Sequence, residues 1–411
     1  MKKRIIFELL ALLTVAGIFF ALYKIQDMDM HFSEILDEKG KEVLVDTTLY
    51  EDLEYNLKQE EVISTLEKQE FFQPLNALFV NCYYYSKLSE EEKVVYTEIY
   101  NILDGMEKDV ELSTLDTDLI EKIFKCVLND HPEFYYVEGY TYTTYTRKEK
   151  VVKLELSGTY TKTEEECRAI DEKIDLYKRQ CFDGITADMT DYERVKHIYE
   201  YIIHHTEYNL LATDNQNICS VFVYGESVCM GYAKAMQYLL LQQNILCTIV
   251  NGTASQGEEH AWNLLLLDGQ YYHLDVTWGD DSYTVTNPKD SQVGMINYGF
   301  FCVTTEEISK SHQIKNIVEL PECIAVENNY YVKEGYYLTS LDLAKIGQIF
   351  EQAYNENKDH VEMKCSDSLV YEQVYGYLIE EHNIFEYLKN EKSTVSYYDG
   401  GELLLLEFWL K

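Results

Sequence analysis

Three reactive side chains follow one another in the middle of this sequence: a thiol, an imidazole and a carboxylate. Cys229 lies in the run G-E-S-V-C-M-G-Y-A-K-A, His260 begins H-A-W-N, and Asp275 lies in L-D-V-T-W. Such groups can form an activated nucleophile, in which the imidazole takes and returns a proton while the carboxylate orients the imidazole. The sequence therefore predicts nucleophilic catalysis by Cys229.

The residues after Val228 predict a helix that begins near Cys229. The segment is rich in helix formers, and its apolar residues recur at helical spacing. Ser227 is the expected N-cap, which puts Cys229 in the first turn. A thiol attacks as thiolate, and a helix N-terminus and a nearby imidazolium both stabilise that anion. Gly231 has no side chain, so another backbone or a substrate can approach it closely.

The dipeptide Asp268-Gly269 predicts a β-hairpin, because apolar runs flank it on both sides. A D-G pair in this setting favours a two-residue type I′ turn. In that register Leu267 pairs with Gln270. The two strands then extend back to His260 and forward past Asp275.

Continued along the strands, this register pairs His260 with Thr277 and Trp262 with Asp275. Side chains alternate between the faces of a strand, so all four share one face. His260 and Asp275 become diagonal neighbours, roughly 7 Å apart at Cβ, which an imidazole and a carboxylate can span. The thiol must then come from a helix packed against that face.

Each residue also has a structural interpretation. A lone cysteine near a helix start is usually a small buried hydrophobe, and a lone histidine in a strand, such as His273, is usually a satisfied core or surface residue. Trp262 and Trp278 could be plain core. An aspartate disfavours a strand, so Asp275 needs another reason to be there. The conjunction of three groups, two of them on one face, favours the catalytic interpretation.

The motifs C-x-G-Y-A, H-A-W-N and D-x-T-W resemble those of the transglutaminase-like superfamily, most densely over residues 190–312. The resemblance implies an α+β, papain-like core, with a cysteine at a helix N-terminus packed on an antiparallel sheet. It also implies Cys229 as nucleophile, His260 as general base and then acid, and Asp275 as the residue that orients the imidazole. The chain is similar in addition to surface proteins of Gram-positive anaerobes with a Tyr-rich N-terminal region.

The implied chemistry is attack of Cys229 on an amide carbonyl to form a thioester. Release to water makes the protein a cysteine peptidase or amidase, the favoured interpretation, with a protein, peptide or peptidoglycan-type amide as substrate. Release to an amine makes it a cross-linking transglutaminase, and a third alternative is a non-catalytic binding module. The Cys229 backbone N–H is the natural first oxyanion donor. Gln216 and Tyr224 are upstream candidates for the second, and neither is assigned.

No cofactor or metal is predicted. The sequence has no H-E-x-x-H motif and no paired Cys and His spacing typical of zinc, and no acidic loop matches the calcium sites of animal cross-linking members. The ten cysteines form no compact disulfide framework, although one or two bridges are possible. Cys219 and Cys247 are expected to be buried thiols.

Composition and charge limit the partners. The chain has 411 residues, of which 46% are hydrophobic and 14% aromatic, typical of packed cores. Acidic residues outnumber basic ones 72 to 35, so the net charge is −37. Such a surface repels nucleic acid, and the partners should be neutral or basic. The oligomeric state is left open.

The N-terminus predicts an extracellular location. Lys2, Lys3 and Arg4 precede an apolar span over residues 5–23 that carries only Glu8. This is typical of a single-pass anchor with the body outside, and the alternative is secretion after signal cleavage. The membrane is thus a predicted partner through this segment.

Five parts are predicted along the chain. They are an anchor or signal (1–25), a linker or stalk (26–70), an accessory α+β region (71–185), the transglutaminase-like catalytic domain (186–320) and a small C-terminal α+β module (321–411). Three capping boxes predict helix starts, at Ser89 with Glu92, Thr163 with Glu166 and Thr190 with Glu193. Residues 297–304 predict a core strand. The C-terminal part predicts strand, helix, strand, helix, strand over 330–338, 341–355, 360–365, 369–382 and 394–410.

Overall fold

The computed structural model describes residues 34–37, 40–44, 79–254, 257–280, 296–389 and 394–410. The apolar span predicted over residues 5–23 lies outside these ranges. Among the helices inside them, none combines the length and the apolar character that crossing a bilayer requires. The chain folds into two compact units, the first containing Asn101–Ile120, Glu138–Thr159 and the strands before residue 73, the second containing Tyr160–Lys411 with Pro74–Tyr100 and Glu121–Val137.

The first unit is built on a five-stranded sheet. In chain order its strands are β1 (Glu34–Asp37), β2 (Gly40–Leu44), β3 (Val110–Glu111), β4 (Val137–Arg147) and β5 (Lys150–Tyr160), and they lie in the order β1, β2, β4, β5, β3. Strands β4 and β5 are joined by Lys148 and Glu149, which both have positive φ. That pair of left-handed residues is what a tight two-residue hairpin requires.

The described residues contain ten α-helices, together with short 3-10 and π-helical segments. They are α1 (Tyr83–Ser86), α2 (Glu90–Asp104), α3 (Thr117–Asp130), α4 (Glu164–Phe182), α5 (Asp191–His204), α6 (Cys229–Gln242), α7 (Thr305–Ile308), α8 (Tyr330–Lys333), α9 (Leu343–Asn355) and α10 (Ser368–Tyr375). The capping boxes predicted at the starts of α4 and α5 are both confirmed. The Ser89 and Glu92 pair makes the same reciprocal hydrogen bonds at the start of α2.

The second unit contains two four-stranded sheets and a short strand pair. Its strands are β6 (Glu207–Tyr208), β7 (Glu226–Ser227), β8 (Cys247–Thr253), β9 (Glu259–Leu267), β10 (Gln270–Leu274), β11 (Gln313–Ile314), β12 (Tyr337–Leu338), β13 (His360–Cys365), β14 (Tyr397–Gly400) and β15 (Leu405–Trp409). The sheet orders are β10, β9, β8, β11 and β12, β13, β15, β14, while β6 pairs with β7. The α+β fold class and the antiparallel sheet predicted for the core are confirmed.

The predicted hairpin supplies β9 and the edge strand β10 of the first of these sheets. Asp268 and Gly269 both have positive φ, as a type I′ turn requires, and Gln270 pairs with Leu267. The ladder continues in the predicted register as far as Leu274 opposite Asn263.

Both faces of this sheet are buried, by different elements. Helix α6 packs through Ala233 on Ile249 and Ala261, where small side chains allow a close approach. The opposite face carries Trp262, which packs with a cluster that includes Val250, Leu264, Phe300, Val303 and Ile308. The helix therefore does not cover the His260 and Trp262 face, and the expectation that it would is wrong.

Three predicted strands have a different structure. Residues 298–300 form a 3-10 turn, and Val303 makes only a single bridge to His273, so the strand predicted over residues 297–304 is wrong. Near the C-terminus, the strand predicted over residues 330–338 is instead the short helix α8 followed by β12. The last predicted strand is a hairpin of β14 and β15.

Candidate active site

Cys229 is the first residue of helix α6. The N-cap is Val228, in extended conformation and without a side-chain capping bond, so the expectation for Ser227 is wrong. The Ser227 hydroxyl is buried and bonds to the Ser220 hydroxyl at 2.6 Å. The first backbone N–H groups of a helix have no intrahelical acceptor and carry its positive dipole end, which favours an anion at Cys229. All ten cysteines are unpaired, and Cys229 alone is not fully buried.

Gly231 explains how this helix start fits against the preceding loop. A Cβ atom at this position would lie 2.0 Å from the Ser227 hydroxyl oxygen and 2.4 Å from that of Ser220. The absent side chain is thus replaced by the two bonded hydroxyls. Gly231 allows a close approach, as predicted, but the occupants here are the hydroxyls of this loop.

His260 and Asp275 are in direct contact. His260 Nε2 lies 2.7 Å from Asp275 Oδ2, and their side chains are 4% and 0% exposed. The predicted pairing of His260 with Thr277 and of Trp262 with Asp275 is wrong, since the ladder ends at Leu274.

The departure of Asp275 from the strand has a local cause. Its Oδ1 atom accepts the backbone N–H groups of Thr277 and Trp278 at 2.9 and 3.1 Å, which closes a turn. The Asp275 backbone N–H donates instead to Phe300 O at 3.1 Å. The side chain that disfavours a strand thus terminates it, and the turn leaves Oδ2 directed at His260.

Two buried tyrosines fix the residues around this turn. The Tyr199 hydroxyl donates to Asn297 O at 2.8 Å and lies 3.4 Å from Asp275 O. The Tyr232 hydroxyl donates to Asp280 Oδ2 at 2.6 Å, and Tyr232 lies on α6, one turn after Cys229. The thiol and the carboxylate are therefore held by elements that share direct hydrogen bonds.

Cys229 reaches His260 from the end of the helix. Met230 packs against the cluster of Ala233, Ile249 and Ala261, so the helix start lies beside the sheet. The Cys229 side chain interacts with the His260 ring and contributes to the raised pKa of His260. Because Nε2 of that ring is engaged by Asp275, Nδ1 is the nitrogen left for the thiol. The structure thus brings together all three residues predicted from the sequence.

The electrostatics of this group favour a charged His260. Burial by itself lowers the pKa of His260, but Asp275 and the Cys229 contact outweigh it and raise the pKa above its ordinary value. Burial by itself raises the pKa of Asp275, but the charges of and hydrogen bonds from His260 and His312 lower it well below its ordinary range. An imidazolium beside an ionised carboxylate is the result.

His312 is a further site residue that the sequence did not indicate. Its Nε2 atom lies 3.0 Å from the same Asp275 Oδ2, and its side chain is 0% exposed. It lies in the edge segment between α7 and β11, far along the chain from the three motifs. In the sequence, His312 is marked only by its position shortly after the capped start of helix α7.

His260, Asp275 and His312 are also close enough to hold a metal ion. Each offers one ligand atom, and these atoms lie within 4.8 Å of one another. The two imidazole Nε2 atoms are hydrogen bonded to the single Asp275 Oδ2, so a metal ion would have to displace both bonds. The arrangement fits protons shared between neighbours, and no step below is assigned to a metal.

The other residues considered from the sequence lie nearby with different roles. His273 is a satisfied core histidine, as expected. It accepts Trp262 Nε1–H at 3.1 Å, and burial, with a smaller effect of His312, lowers its pKa to about 4. Gln216 donates to Asn215 Oδ1, and Tyr224 is 47% exposed. Neither is positioned as a second oxyanion donor by these contacts.

A comparison with protein families matches this part of the chain. The model of the transglutaminase-like superfamily matches residues 179–276, a range that contains Cys229, His260 and Asp275.

The similarity of this chain to individual curated proteins is distant. Human kyphoscoliosis peptidase is 25% identical over 197 residues, which is 40% of this chain and 30% of that protein. The mouse kyphoscoliosis peptidase is 25% identical over 169 residues, or 36% of this chain and 25% of that protein. The chain thus spans less than a third of the length of these relatives.

Some solved structures overlap part of this chain. A TGase is 13% identical, with 37% of this chain and 48% of that chain covered and a TM-score of 0.26. A Cytophaga hutchinsonii protein described as a candidate cysteine protease is 12% identical, with 34% and 66% covered and a TM-score of 0.23.

Proposed function

We propose, from the premise that residues 179–276 belong to the transglutaminase-like superfamily, that this protein is a thiol enzyme that cleaves amides through a Cys229 thioester. Cys229 is the nucleophile, His260 the general base and acid, and Asp275 the residue that orients the imidazole. One observation carries the proposal: the His260 ring lies 2.7 Å from Asp275 through Nε2, and the same ring interacts with the Cys229 side chain at the start of α6.

In the first half-reaction the Cys229 thiolate attacks the amide carbonyl carbon. The S–C bond forms, and the carbonyl electron pair moves to oxygen, next to the uncapped N–H groups at the start of α6. As the C–N bond breaks, His260 Nδ1–H passes its proton to the leaving amine. The products of this half are a thioester on Cys229, a free amine and a neutral imidazole.

In the second half-reaction a water molecule attacks the thioester. His260 Nδ1 takes a proton from the water as the new C–O bond forms, and the C–S bond then breaks to return the thiolate. The acid leaves and the imidazolium is restored. Throughout, Asp275 stays ionised and holds the ring, and it does not carry the proton.

We favour hydrolysis over transfer to an amine. The human and mouse relatives given above are both named peptidases, which supports this choice. An amine in place of water would complete the same cycle and produce a cross-link, so the alternative differs only in the acceptor. That the substrate is an extracellular protein, peptide or cell-wall amide stays a prediction from the sequence.

The acceptor can be tested by incubating the full chain with an unfolded, glutamine-containing protein and a fluorescent primary amine. A matched Cys229→Ala variant controls for contaminating activity. We expect new amino termini or released ammonia with the wild type, little fluorescent product, and neither with the variant. Fluorescent incorporation as the main product would overturn hydrolysis in favour of transfer. Equal product from wild type and variant would overturn the proposed enzyme.

A further inference from the structure

His312 is a second buried imidazole on the carboxylate that orients His260. Its Nε2 atom lies 3.0 Å from Asp275 Oδ2, while His260 Nε2 lies 2.7 Å from the same oxygen. None of the steps proposed above uses His312. A buried polar ring beside the Asp275 carboxylate therefore needs a functional explanation.

The partners of His312 fix the proton on its Nε2 atom. An ionised carboxylate only accepts hydrogen bonds, so Nε2 of His312 must carry a hydrogen and donate it to Asp275. The other nitrogen, Nδ1, lies 2.8 Å from the Ser311 hydroxyl. The Ser311 hydroxyl can donate to that nitrogen or accept from it, so the ring keeps its Nε2–H on Asp275 in either arrangement.

The His312 bond completes the partners of the Asp275 carboxylate. Oδ1 accepts the backbone N–H groups of Thr277 and Trp278, and Oδ2 accepts His260 and His312. A carboxylate has about four lone-pair sites, so this one is fully used. Rotation of the carboxylate would break bonds on both oxygens.

The surrounding elements hold the His312 ring in place. Its backbone N–H donates to Ile308 O at 2.9 Å, at the end of the capped helix α7, and the next residue pairs with β8. Its ring centroid lies 4.6 Å from that of Trp278, 5.0 Å from that of Trp262 and 5.7 Å from that of Phe300. Packing on several sides prevents the ring from leaving Asp275.

We propose that His312 is a positioning residue, whose Nε2–H holds Asp275 Oδ2 so that this oxygen orients His260 with Nδ1 toward Cys229. The inference rests on the proposed function, because it concerns the same thiol and imidazole. The hydrogen bonds of the His312 ring are to Asp275 and Ser311. His312 acts through Asp275 alone.

The test compares two amides and one apolar side chain at position 312 in the full chain. The amide nitrogen of His312→Gln can reach the position of Nε2 and keep the donor, whereas that of His312→Asn is too short, and His312→Leu has none. The readout is the rate of Cys229 alkylation by iodoacetamide as a function of pH, with thermal unfolding measured in parallel. His131→Leu is the matched control, because His131 is also buried among aromatic rings in the same unit.

We expect His312→Leu and His312→Asn to slow alkylation at neutral pH about tenfold or more, the factor that a hydrogen bond to a charged group is worth. We expect the alkylation rate of His312→Gln to stay within about threefold of the wild-type rate, and that of His131→Leu to match the wild-type rate. The acid limb of the profile should move to higher pH in the Leu and Asn variants, since a loosened Asp275 stabilises the His260 imidazolium less. The ionisable groups that face His312 are Asp275, His260 and His273. Partial unfolding would instead expose the nine buried cysteines, so peptide mapping that finds alkylation at Cys229 alone separates the two causes.

Two results would overturn this inference. One is a folded His312→Leu with the wild-type rate and profile. The other is equal slowing by Gln, Asn and Leu, which would indicate packing only. If Leu does not fold, the comparison of Gln with Asn decides alone. The proposed function is tested separately by His260→Ala: if that variant slows alkylation and the His312 variants do not, only the positioning role fails.

Discussion

Asp275 Oδ2 lies 2.7 Å from His260 Nε2, although the two residues share no rung of a β-ladder. His260 pairs with Gly252 on β8, and Asp275 has already left β10 for the turn that its own side chain closes. The contact therefore depends on that turn as much as on the hairpin. It makes Asp275 a residue that both ends a strand and orients an imidazole.

Replacing Asp275 with Asn should remove most activity while leaving the fold in place. The amide oxygen can still accept the backbone N–H groups that close the turn. However, the amide has no charge to stabilise the His260 imidazolium, and it can hold the imidazole ring in the wrong orientation. We expect kcat/KM for an amide substrate to fall by on the order of 10²- to 10⁴-fold. Steady-state kinetics would check this, and a loss below about threefold would contradict the assigned role.

The stability of the protein should depend on pH through His260. Its folded pKa is raised above the ordinary value of 6.5, so its contribution is complete below pH 6.5 and is lost as the pH rises through the folded value. The wild type should therefore lose more free energy of unfolding above pH 6.5 than His260→Gln does. Urea denaturation at several pH values measures the difference. Parallel curves for the two proteins would contradict it.

Gly231→Ala should destabilise the protein because its Cβ would collide with the bonded hydroxyls of Ser227 and Ser220. We expect a loss of about 1–3 kcal/mol in the free energy of unfolding. Gly347→Ala is the matched control, since it lies inside helix α9 and its Cβ would meet only Tyr387, at 3.7 Å. That change should stabilise the protein by about 0.8–1 kcal/mol, the helix propensity difference. Equal effects of the two changes in denaturant titrations would refute this account of Gly231.

Tyr232→Phe should also cost stability, because it removes the donor to Asp280 Oδ2 and Thr206 O inside the core. An unmade buried hydrogen bond costs about 1–3 kcal/mol. Tyr224→Phe is the exposed control and should lie within about 0.5 kcal/mol of the wild type. Thermal unfolding compares the three proteins. A Tyr232→Phe midpoint equal to that of the wild type would show that these bonds do not hold the turn.

Much of the site could be predicted from the sequence because local chemistry determines it. The Asp268-Gly269 turn sets the hairpin register, and three capping boxes mark helix starts that the structure contains. The helix that begins at Cys229 follows from composition and spacing. These features depend on neighbours within a few residues, which a single sequence displays.

The remainder depends on contacts between distant parts of the chain. The Asp275 side chain closes its own turn, but its backbone N–H donates to Phe300 O, and no local pattern indicates Phe300. Helix α6 packs on the Ile249 and Ala261 face, because Ala233 and Ala261 leave room there that the Trp262 face does not. His312 joins the site only through the packing of α7 and β11. The alternation of hydrophobic residues along the strands cannot show which face of the sheet the helix covers, since both faces are buried.

The most direct test of the central claim is the alkylation of native protein by iodoacetamide at neutral pH, followed by peptide mapping. The nine other cysteines are buried, so the reaction reports on Cys229. We predict that Cys229 is modified first, faster than a free cysteine thiol, and that His260→Ala slows it by at least about tenfold. If Cys229 reacts no faster than a free thiol and His260→Ala leaves its rate unchanged, Cys229 is not an activated nucleophile.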